Sequence, residues 1–270
     1  MRTKILAAVA AATLAGGAFC GAAQAANLVV NGDFSASTLP VAALQASSHS
    51  GAQIGDDYIY GQALTGWNSA IGSDGKAFNL YFFGDGHEST READTQYGEL
   101  GQHPNANYSA CSAAFAGCGG AFMVLDGDPH FTGVLSQTVS GLTVGKSYEL
   151  SFYWAAGELA DRTGFATSQL TGSFGGDAFA TSVYANPNGA GVPGGFSGWD
   201  LVKLTFTAHT SSQLLSFLSV GTPDANLPPI ALLDGVSVTP VPEPSVWAMM
   251  LVGFGAMGLG LRRRRRLAAA

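Results

Sequence analysis

Polar and apolar side chains alternate strictly along several short stretches of this sequence, and this alternation constrains the fold more than any other feature. In residues 148–154 (YELSFYW), every second position carries a large apolar side chain, namely Tyr148, Leu150, Phe152 and Trp154. Residues 201–207 (LVKLTFT) alternate in the same way, with Val202, Leu204 and Phe206 as the expected inward set. Because successive side chains of a strand point to opposite faces, this pattern is typical of antiparallel sheets with one face in water.

The pattern recurs between turn signals and predicts an all-β fold. Residues 26–240 show no sustained helical periodicity and are rich in Gly, Ser, Thr, Phe and Tyr. Ten candidate strands in this region favour a two-sheet sandwich. They are residues 28–30, 78–83, 121–125, 134–139, 148–155, 169–174, 179–184, 201–208, 214–220 and 231–238. A loop insertion is expected around residues 35–120, and residues 186–198 consist almost entirely of turn residues.

The first 25 residues are typical of a secretory signal peptide. Arg2 and Lys4 form a basic start, residues 5–19 form an apolar core, and Ala23-Gln24-Ala25 is a cleavage site of the A-x-A kind. Signal peptidase is therefore an expected partner, and the mature chain is expected to begin at Ala26. Residues 26–240 then form the exported body, which is long enough for one well-buried core.

The C-terminal tail combines a short motif, an apolar run and a basic cluster. Val241-Pro242-Glu243-Pro244 is followed by the apolar residues 246–261 and then by Arg262, Arg263, Arg264, Arg265 and Arg266. As a helix the run measures about 24 Å, which is short of the ~30 Å hydrocarbon core, although arginine stems can reach the interface. The positive-inside rule keeps the arginines cytoplasmic and places the body across the membrane.

This tail, residues 241–266, resembles the PEP-CTERM sorting signal of Gram-negative bacteria. The resemblance implies that exosortase, a membrane enzyme, reads the segment and processes the protein during export. It implies membrane anchoring before processing, and the cell surface or extracellular matrix afterwards. The alternative for the apolar run is an ordinary tail anchor.

Charge is distributed unevenly and excludes one class of partner. The body carries five bases and 18 acids, a net charge of −13, because the other bases lie in the two terminal segments. A body with this net negative charge is not expected to bind nucleic acid, because the phosphate backbone repels it. It suits divalent cations, basic surfaces or neutral glycans, and solubility alone also explains the acidity.

Two cysteines remain after removal of the signal peptide, and they lie close together. Cys111 and Cys118 are separated by six small or apolar residues, without a nearby histidine. In an oxidising compartment this spacing favours a disulfide over a metal site.

Several short segments follow one another in an order that resembles the galactose-binding-like jelly roll of many carbohydrate-binding modules. They are NLVVNGDF at 27–34, Gly66-Trp67, GVLSQTV at 133–139, GLTVGKSYELSF at 141–152, Trp199 and PPIALLDGVSV at 228–238. The resemblance implies a β-sandwich whose first and last strands are neighbours. It also implies a structural Ca²⁺ where these strands meet, with Asp33 and Asp234 as ligands. The alternative is that Asp33 serves a turn and that Asp234 accepts hydrogen bonds at a strand end.

The sequence nominates no catalytic residue. The motifs G-x-S-x-G and H-E-x-x-H are absent, and the five histidines are scattered. Asp126-Gly127-Asp128 can share a cation or shape a tight turn, and the turn is the simpler interpretation.

Aromatic side chains are the candidates for glycan binding, because sugar rings stack on them. Trp154 and Tyr153, near the end of a predicted strand, are the expected glycan-binding residues. Trp67 and Trp199 are more easily explained as core residues. The sequence thus favours a non-enzymatic surface or matrix protein associated with exopolysaccharide or another glycan. The alternatives are a secreted polysaccharide hydrolase and a purely structural biofilm protein.

Overall fold

The computed structural model describes residues 26–36, 64–70, 79–83, 121–129, 132–158, 164–185, 196–222, 229–242, 252–255 and 257. These residues form eleven strands. They are β1 (Asn68–Ser69), β2 (Asn79–Phe83), β3 (Ala121–Asp126), β4 (Leu135–Ser140), β5 (Ser147–Gly157), β6 (Thr167–Phe174), β7 (Asp177–Ala180), β8 (Tyr184–Ala185), β9 (Asp200–Thr207), β10 (Ser212–Thr222) and β11 (Ile230–Pro240).

The strands form two antiparallel sheets. The first sheet has the order β1-β4-β10-β6-β7, with β8 paired to β6, and the second sheet has the order β2-β3-β11-β5-β9. From β3 to β6 each successive strand lies in the other sheet, and the same holds from β9 to β11. The predicted all-β, two-sheet jelly-roll sandwich is therefore confirmed.

The core lies between the sheets and follows the alternation of the sequence. On β5 the inward side chains are Tyr148, Leu150, Phe152 and Trp154, and all four are buried. On β9 the predicted inward set Val202, Leu204 and Phe206 packs against the core. Rings of the two sheets meet at its centre, where Phe152 lies edge-on to Phe217 with centroids 5.1 Å apart.

The N-terminal segment runs beside the last strand, as the jelly-roll resemblance implies. Residues 28–30, predicted as a strand, are irregular and lead into a turn that begins at Val30, yet the amide of Leu28 donates to the carbonyl of Val238 at 2.9 Å. Asn27 reinforces this junction, because its Oδ1 accepts from the amides of Val29 and Val238. The amide of Val236 in turn donates to Gly32 O at 2.8 Å.

The second departure from the predicted strands is at residues 179–184. Here β7 ends at Ala180 and the separate strand β8 begins at Tyr184. Between these two strands, the hydroxyl of Thr181 accepts from the amide of Leu170 on β6. A side-chain oxygen thus replaces the backbone carbonyl that a continuous strand would offer to β6.

Several predictions concern residues outside this description. They are the disulfide Cys111–Cys118, the motif residues Glu243 and Pro244, the five arginines 262–266, the signal peptide and most of the loops. Within the described part of the chain, no helix combines the length and the apolar character needed to cross a membrane.

Candidate functional site

The outer face of the second sheet is covered along its middle and open toward one edge. Five outward side chains on β3, β5 and β11 are buried although they point away from the core: Phe122, Val124, Ala155, Ile230 and Leu232. Two rings lie against this face, since Trp199 is edge-on to Phe122 with ring centroids 5.8 Å apart, and Phe196 is edge-on to Trp199 at 6.1 Å.

Small residues of β5 make room for these rings. The antiparallel register pairs Asp200 with Trp154, which places Trp199 beside Ala155, and a bridge joins Phe196 to Gly157. The intervening segment is fixed to β5, because the amide of Ser197 donates to Ala156 O at 3.0 Å. Ser197 Oγ accepts from the amide of Ala156 at 2.9 Å.

Where the cover ends, four large side chains form a partly open group that we call the outer patch: Tyr153, Phe196, Trp199 and Leu201. Tyr153 and Leu201 are directly opposite each other on β5 and β9. Leu201 is 42% exposed, and the three rings are half-buried. An exposed aliphatic side chain among aromatic rings gives the C–H faces of a sugar ring a surface on which to pack.

Polar groups border the outer patch. Next along the two strands lies the ion pair in which Lys203 Nζ donates to Glu149 Oε1 at 2.9 Å. Asp200, at the start of β9, is exposed, but it lies opposite the inward Trp154 and is therefore directed away from the outer patch. Charged and polar groups beside an apolar platform can orient hydroxyl groups through hydrogen bonds, as in ligand sites generally.

The structure separates the two aromatic residues chosen for glycan binding. Tyr153 points outward and belongs to the outer patch. Trp154 is wrong as a stacking platform, because alternation turns it inward and leaves it 3% exposed in the core. Trp67 is likewise a core residue, and its ring lies 5.2 Å from that of Phe34. Phe196 and Leu201 were not chosen from the sequence, since nothing local distinguishes them from core residues.

The fold brings together the two segments that carry the predicted calcium ligands, but each aspartate has a hydrogen-bond partner of its own. The bond from Val236 N to Gly32 O brings Asp33 close to a bulge in β11 that begins at Asp234. Asp33 Oδ2 accepts from Ser35 Oγ at 2.8 Å, and the buried Asp234 accepts from the amide of Gly235. No group of three or more His, Cys, Asp or Glu side chains suited to a metal occurs among the described residues. The calcium site stays a prediction.

The acidic turn after β3 is buried. Asp126 is 7% exposed and Asp128 is 1% exposed, and Asp126 Oδ1 accepts from the amide of Asp128 at 2.7 Å. Burial raises the pKa of Asp126 to about 7, with a further rise from the charge of Asp128 and an opposing decrease from that hydrogen bond. The geometry is that of a tight turn, and an external substrate does not reach these carboxyl groups.

The C-terminal residues 240–265 match the family model described as the PEP-CTERM protein-sorting motif. The chain therefore ends in a protein-sorting signal, which indicates export with membrane-anchored sorting. The comparison with curated proteins gives no match.

Solved structures similar to this chain share little sequence with it. The enzymatically active domain of tailspike protein 4 of bacteriophage CBA120 is 12% identical, with 66% of this chain and 20% of that chain covered and a TM-score of 0.32. TmCBM61 in complex with β-1,4-galactotriose is 12% identical, with 66% and 90% covered and a TM-score of 0.33. The CBM22-1 xylan-binding domain of Paenibacillus barcinonensis Xyn10C is 16% identical, with 49% and 80% covered and a TM-score of 0.28. This chain thus spans about a fifth of the first of these structures.

Proposed function

We propose that this chain is an exported cell-surface or extracellular-matrix protein that binds glycan through the outer patch and catalyses no reaction. Residues 1–25 are a signal peptide, residues 26–240 form the β-sandwich body, and residues 241–266 are the sorting segment. Exosortase processes that segment, which anchors the protein in the membrane beforehand. Exopolysaccharide is the partner expected at such a location.

One observation carries the glycan proposal. Tyr153, Trp199 and Leu201 remain partly exposed on a sheet face where the other apolar side chains described on β3, β5 and β11 are buried. Leaving aromatic and aliphatic surface in water has a free-energy cost, so a partly exposed group of this kind indicates a binding surface. The flanking ion pair of Lys203 and Glu149 supplies hydrogen-bonding groups for sugar hydroxyls.

The absence of catalysis in the proposal rests on where the carboxyl groups lie. Glycoside cleavage requires two carboxyl groups on either side of the scissile bond. Among the described residues, the register places the buried carboxyl group of Asp234 beside Tyr153, and Glu149, farther along the same face, is paired with Lys203. The turn carboxyls Asp126 and Asp128 are buried and out of reach of a polymer.

The test is glycan binding by the purified full-length chain on an array of soluble oligosaccharides. Tyr153→Ala is expected to lower the affinity at least fivefold, because covering about 40 Å² of the apolar surface of the ring at ~25 cal/mol per Å² contributes about 1 kcal/mol. Val183→Ala is the matched control, because it also truncates an exposed side chain to alanine. Val183 is 61% exposed and does not belong to the outer patch. Equal binding by wild type and Tyr153→Ala contradicts the proposed site, and turnover of any oligosaccharide contradicts the non-enzymatic function.

A further inference from the structure

The outer face of the first sheet differs from the rest of the body in its lack of charge. No residue of β4 (LSQTVS), β6 (TSQLTGSF) or β10 (SQLLSFLSVGT) is ionisable, although the body as a whole has a net charge of −13. The outward positions of these strands carry Ser, Thr and Gln, with Leu214, Leu218 and Val220 along β10.

Hydroxyl groups pair across the strands of this face. Ser140 and Ser212 are 3.0 Å apart, Ser173 and Ser216 are 2.9 Å apart, and Thr167 and Thr222 are 2.7 Å apart, each measured between hydroxyl oxygens. A hydroxyl has one donor and two acceptor positions. In the Ser140–Ser212 and Thr167–Thr222 pairs the contact uses one hydrogen, so the other hydroxyl hydrogen and lone pairs remain for a ligand. Ser216 Oγ also accepts from the amide of Ser173 and lies 3.5 Å from Ser173 O, so this third pair offers mainly the lone pairs of Ser173 Oγ.

A cleft of about 580 Å³ opens at the β1–β4 edge of the same face. Its lining combines one exposed apolar side chain, Leu214, with polar groups of β1, β4 and the turn before β1: Thr65, Asn68, Ser136, Gln137 and Thr138. The volume lies within the range of about 300–1,000 Å³ that is usual for small-molecule sites. None of the described residues that line it is ionisable.

Hydrogen bonds fix both walls of the cleft. Gln137 pairs with the backbone of Val30, because its Oε1 accepts from Val30 N at 2.7 Å and its Nε2 donates to Val30 O at 2.8 Å. On the other wall, Trp67 Nε1 donates to Asn31 O at 2.9 Å, and Asn31 Nδ2 donates to Thr65 O at 3.1 Å. A cleft with walls held in this way loses little conformational entropy when a ligand enters.

The register extends the cleft into a line of polar side chains across the sheet. Asn68 is opposite Ser136, Ser136 is opposite Ser216, and Ser216 is opposite Ser173. Neighbouring strands are about 4.8 Å apart, so this line covers about 14 Å from β1 to β6. A linear polymer that leaves the cleft across the strands therefore meets one polar side chain on each strand.

The chemistry of this surface selects among ligand classes. Among the described residues of this surface, an ion of either sign finds no counter-charge, and a protein partner of the usual kind finds few large apolar anchors. A neutral ligand rich in hydroxyl groups finds donors, acceptors and aliphatic side chains together. We propose that the cleft and the adjoining face of the first sheet bind an uncharged polysaccharide chain.

This second site lies on the face opposite the outer patch and goes beyond the proposed function. Two binding faces on opposite sides of one sandwich allow a single molecule to link two polysaccharide chains. Each contact can then be weak, because linkage raises the effective concentration at the second site.

The test is an amide NMR titration of the full-length chain with cellohexaose, xylohexaose and mannohexaose as neutral probes and oligogalacturonate as the acidic probe. At least one neutral probe is expected to change the chemical shifts of the amides of Ser136, Thr138 and Leu214. The affinity of oligogalacturonate, measured from the same amides, is expected to be at least tenfold lower. Leu214→Asp places a charge at a side chain that is 53% exposed and is expected to lower the affinity for the neutral probe at least tenfold. Val144→Asp is the control, because Val144 is 61% exposed and does not line the cleft.

This experiment tests the second site independently of the outer patch. Tyr153→Ala is expected to preserve the shifts on β4 and β10, whatever it does to the outer patch. The second site is overturned when no neutral probe shifts those amides, when Leu214→Asp binds as wild type does, or when oligogalacturonate binds there equally well. Thr138→Glu, at another exposed position of the cleft, replaces Leu214→Asp if that variant does not fold.

Discussion

Asp126 shows how one buried carboxyl group links the turn after β3 to solution pH. Below its ordinary pKa of 3.8 the group is protonated in both the folded and the unfolded chain. Between 3.8 and about 7 the folded chain keeps a proton that the unfolded chain has lost, so the free energy of unfolding falls as pH rises. Above about pH 7 the cost of the buried charge is fully present.

Asp126→Asn is expected to remove this cost. The amide keeps an oxygen that can accept from Asp128 N and carries no charge at any pH. At pH 8 the variant is expected to exceed wild type in free energy of unfolding by up to roughly 4 kcal/mol, since one pKa unit corresponds to about 1.4 kcal/mol. Thermal or denaturant unfolding at pH 5 and pH 8 measures the difference, with the exposed Asp200→Asn as control. A wild-type chain that gains stability relative to Asp126→Asn from pH 5 to pH 8 contradicts this assignment.

Asn27 is the residue that joins the N-terminal segment to β11. Its side chain donates to Val236 O at 3.2 Å and accepts from the amides of Val29 and Val238. Asn27→Ala is expected to lower the free energy of unfolding by about 1–3 kcal/mol, because two backbone amides lose their acceptor. Urea denaturation checks this value. Asn68→Ala is the control at an exposed amide side chain, and a loss as large in Asn68→Ala contradicts the special role of Asn27.

For single residues, the sequence predicts the direction in which a side chain points better than it predicts what covers that side chain. The period of two correctly separates inward Trp154 from outward Tyr153, but it does not say which faces another segment covers. Trp199 shows the limit, because it packs over Ala155 and toward Phe122, which is far from it in sequence. The outer patch could therefore be predicted at Tyr153 and not at Phe196 or Leu201.

At the scale of elements, the close contact between β6 and β10 requires a glycine. A Cβ on Gly172 would collide with the carbonyl oxygen of Ser216 and would lie 2.5 Å from Phe179 Cζ. Backbone on one side and a ring packed against the core on the other leave little room for relaxation.

Gly172→Ala is therefore expected to lower the free energy of unfolding by about 2–3 kcal/mol, within the usual range for overpacking. Denaturant unfolding measures the loss. The control is Gly255→Ala, where an added Cβ meets nothing within 4 Å and no loss is expected. A Gly172→Ala chain as stable as wild type contradicts the close packing of β6, β7 and β10.

Strands with a clear alternation were predicted close to their observed bounds, as for β5 and β9. Two-residue strands were not, because β1 and β8 are too short for any period to emerge from the sequence. Residues 28–30 were predicted as a strand because they are apolar, yet Asn31 and Phe34 adopt φ values of 53° and 51° that turn the chain. Side chains such as Asn27 and Gln137 supply part of the pairing that a regular strand would make through its backbone.

At the scale of the whole molecule, the chain combines a sandwich with two different outer faces and a C-terminal sorting motif. The second sheet carries the outer patch, the first sheet carries the uncharged cleft, and residues 240–265 carry the protein-sorting motif. The motif was predictable from the sequence because it is local and continuous. The two faces were not, because each combines residues from strands that are distant in the chain.

The two faces can meet extracellular polysaccharide only if the sorting segment directs the body out of the cell, so the processing of this segment is the central claim. The most direct measurement is the intact mass and location of the chain produced by its own host, with and without exosortase, for wild type and Glu243→Ala. The account predicts that wild type loses the segment after residue 240 and reaches the outside only when exosortase is present. Glu243→Ala is predicted to stay full-length at the C-terminus and in the membrane. Normal processing and release of the wild-type chain without exosortase, or of Glu243→Ala with it, would contradict the account.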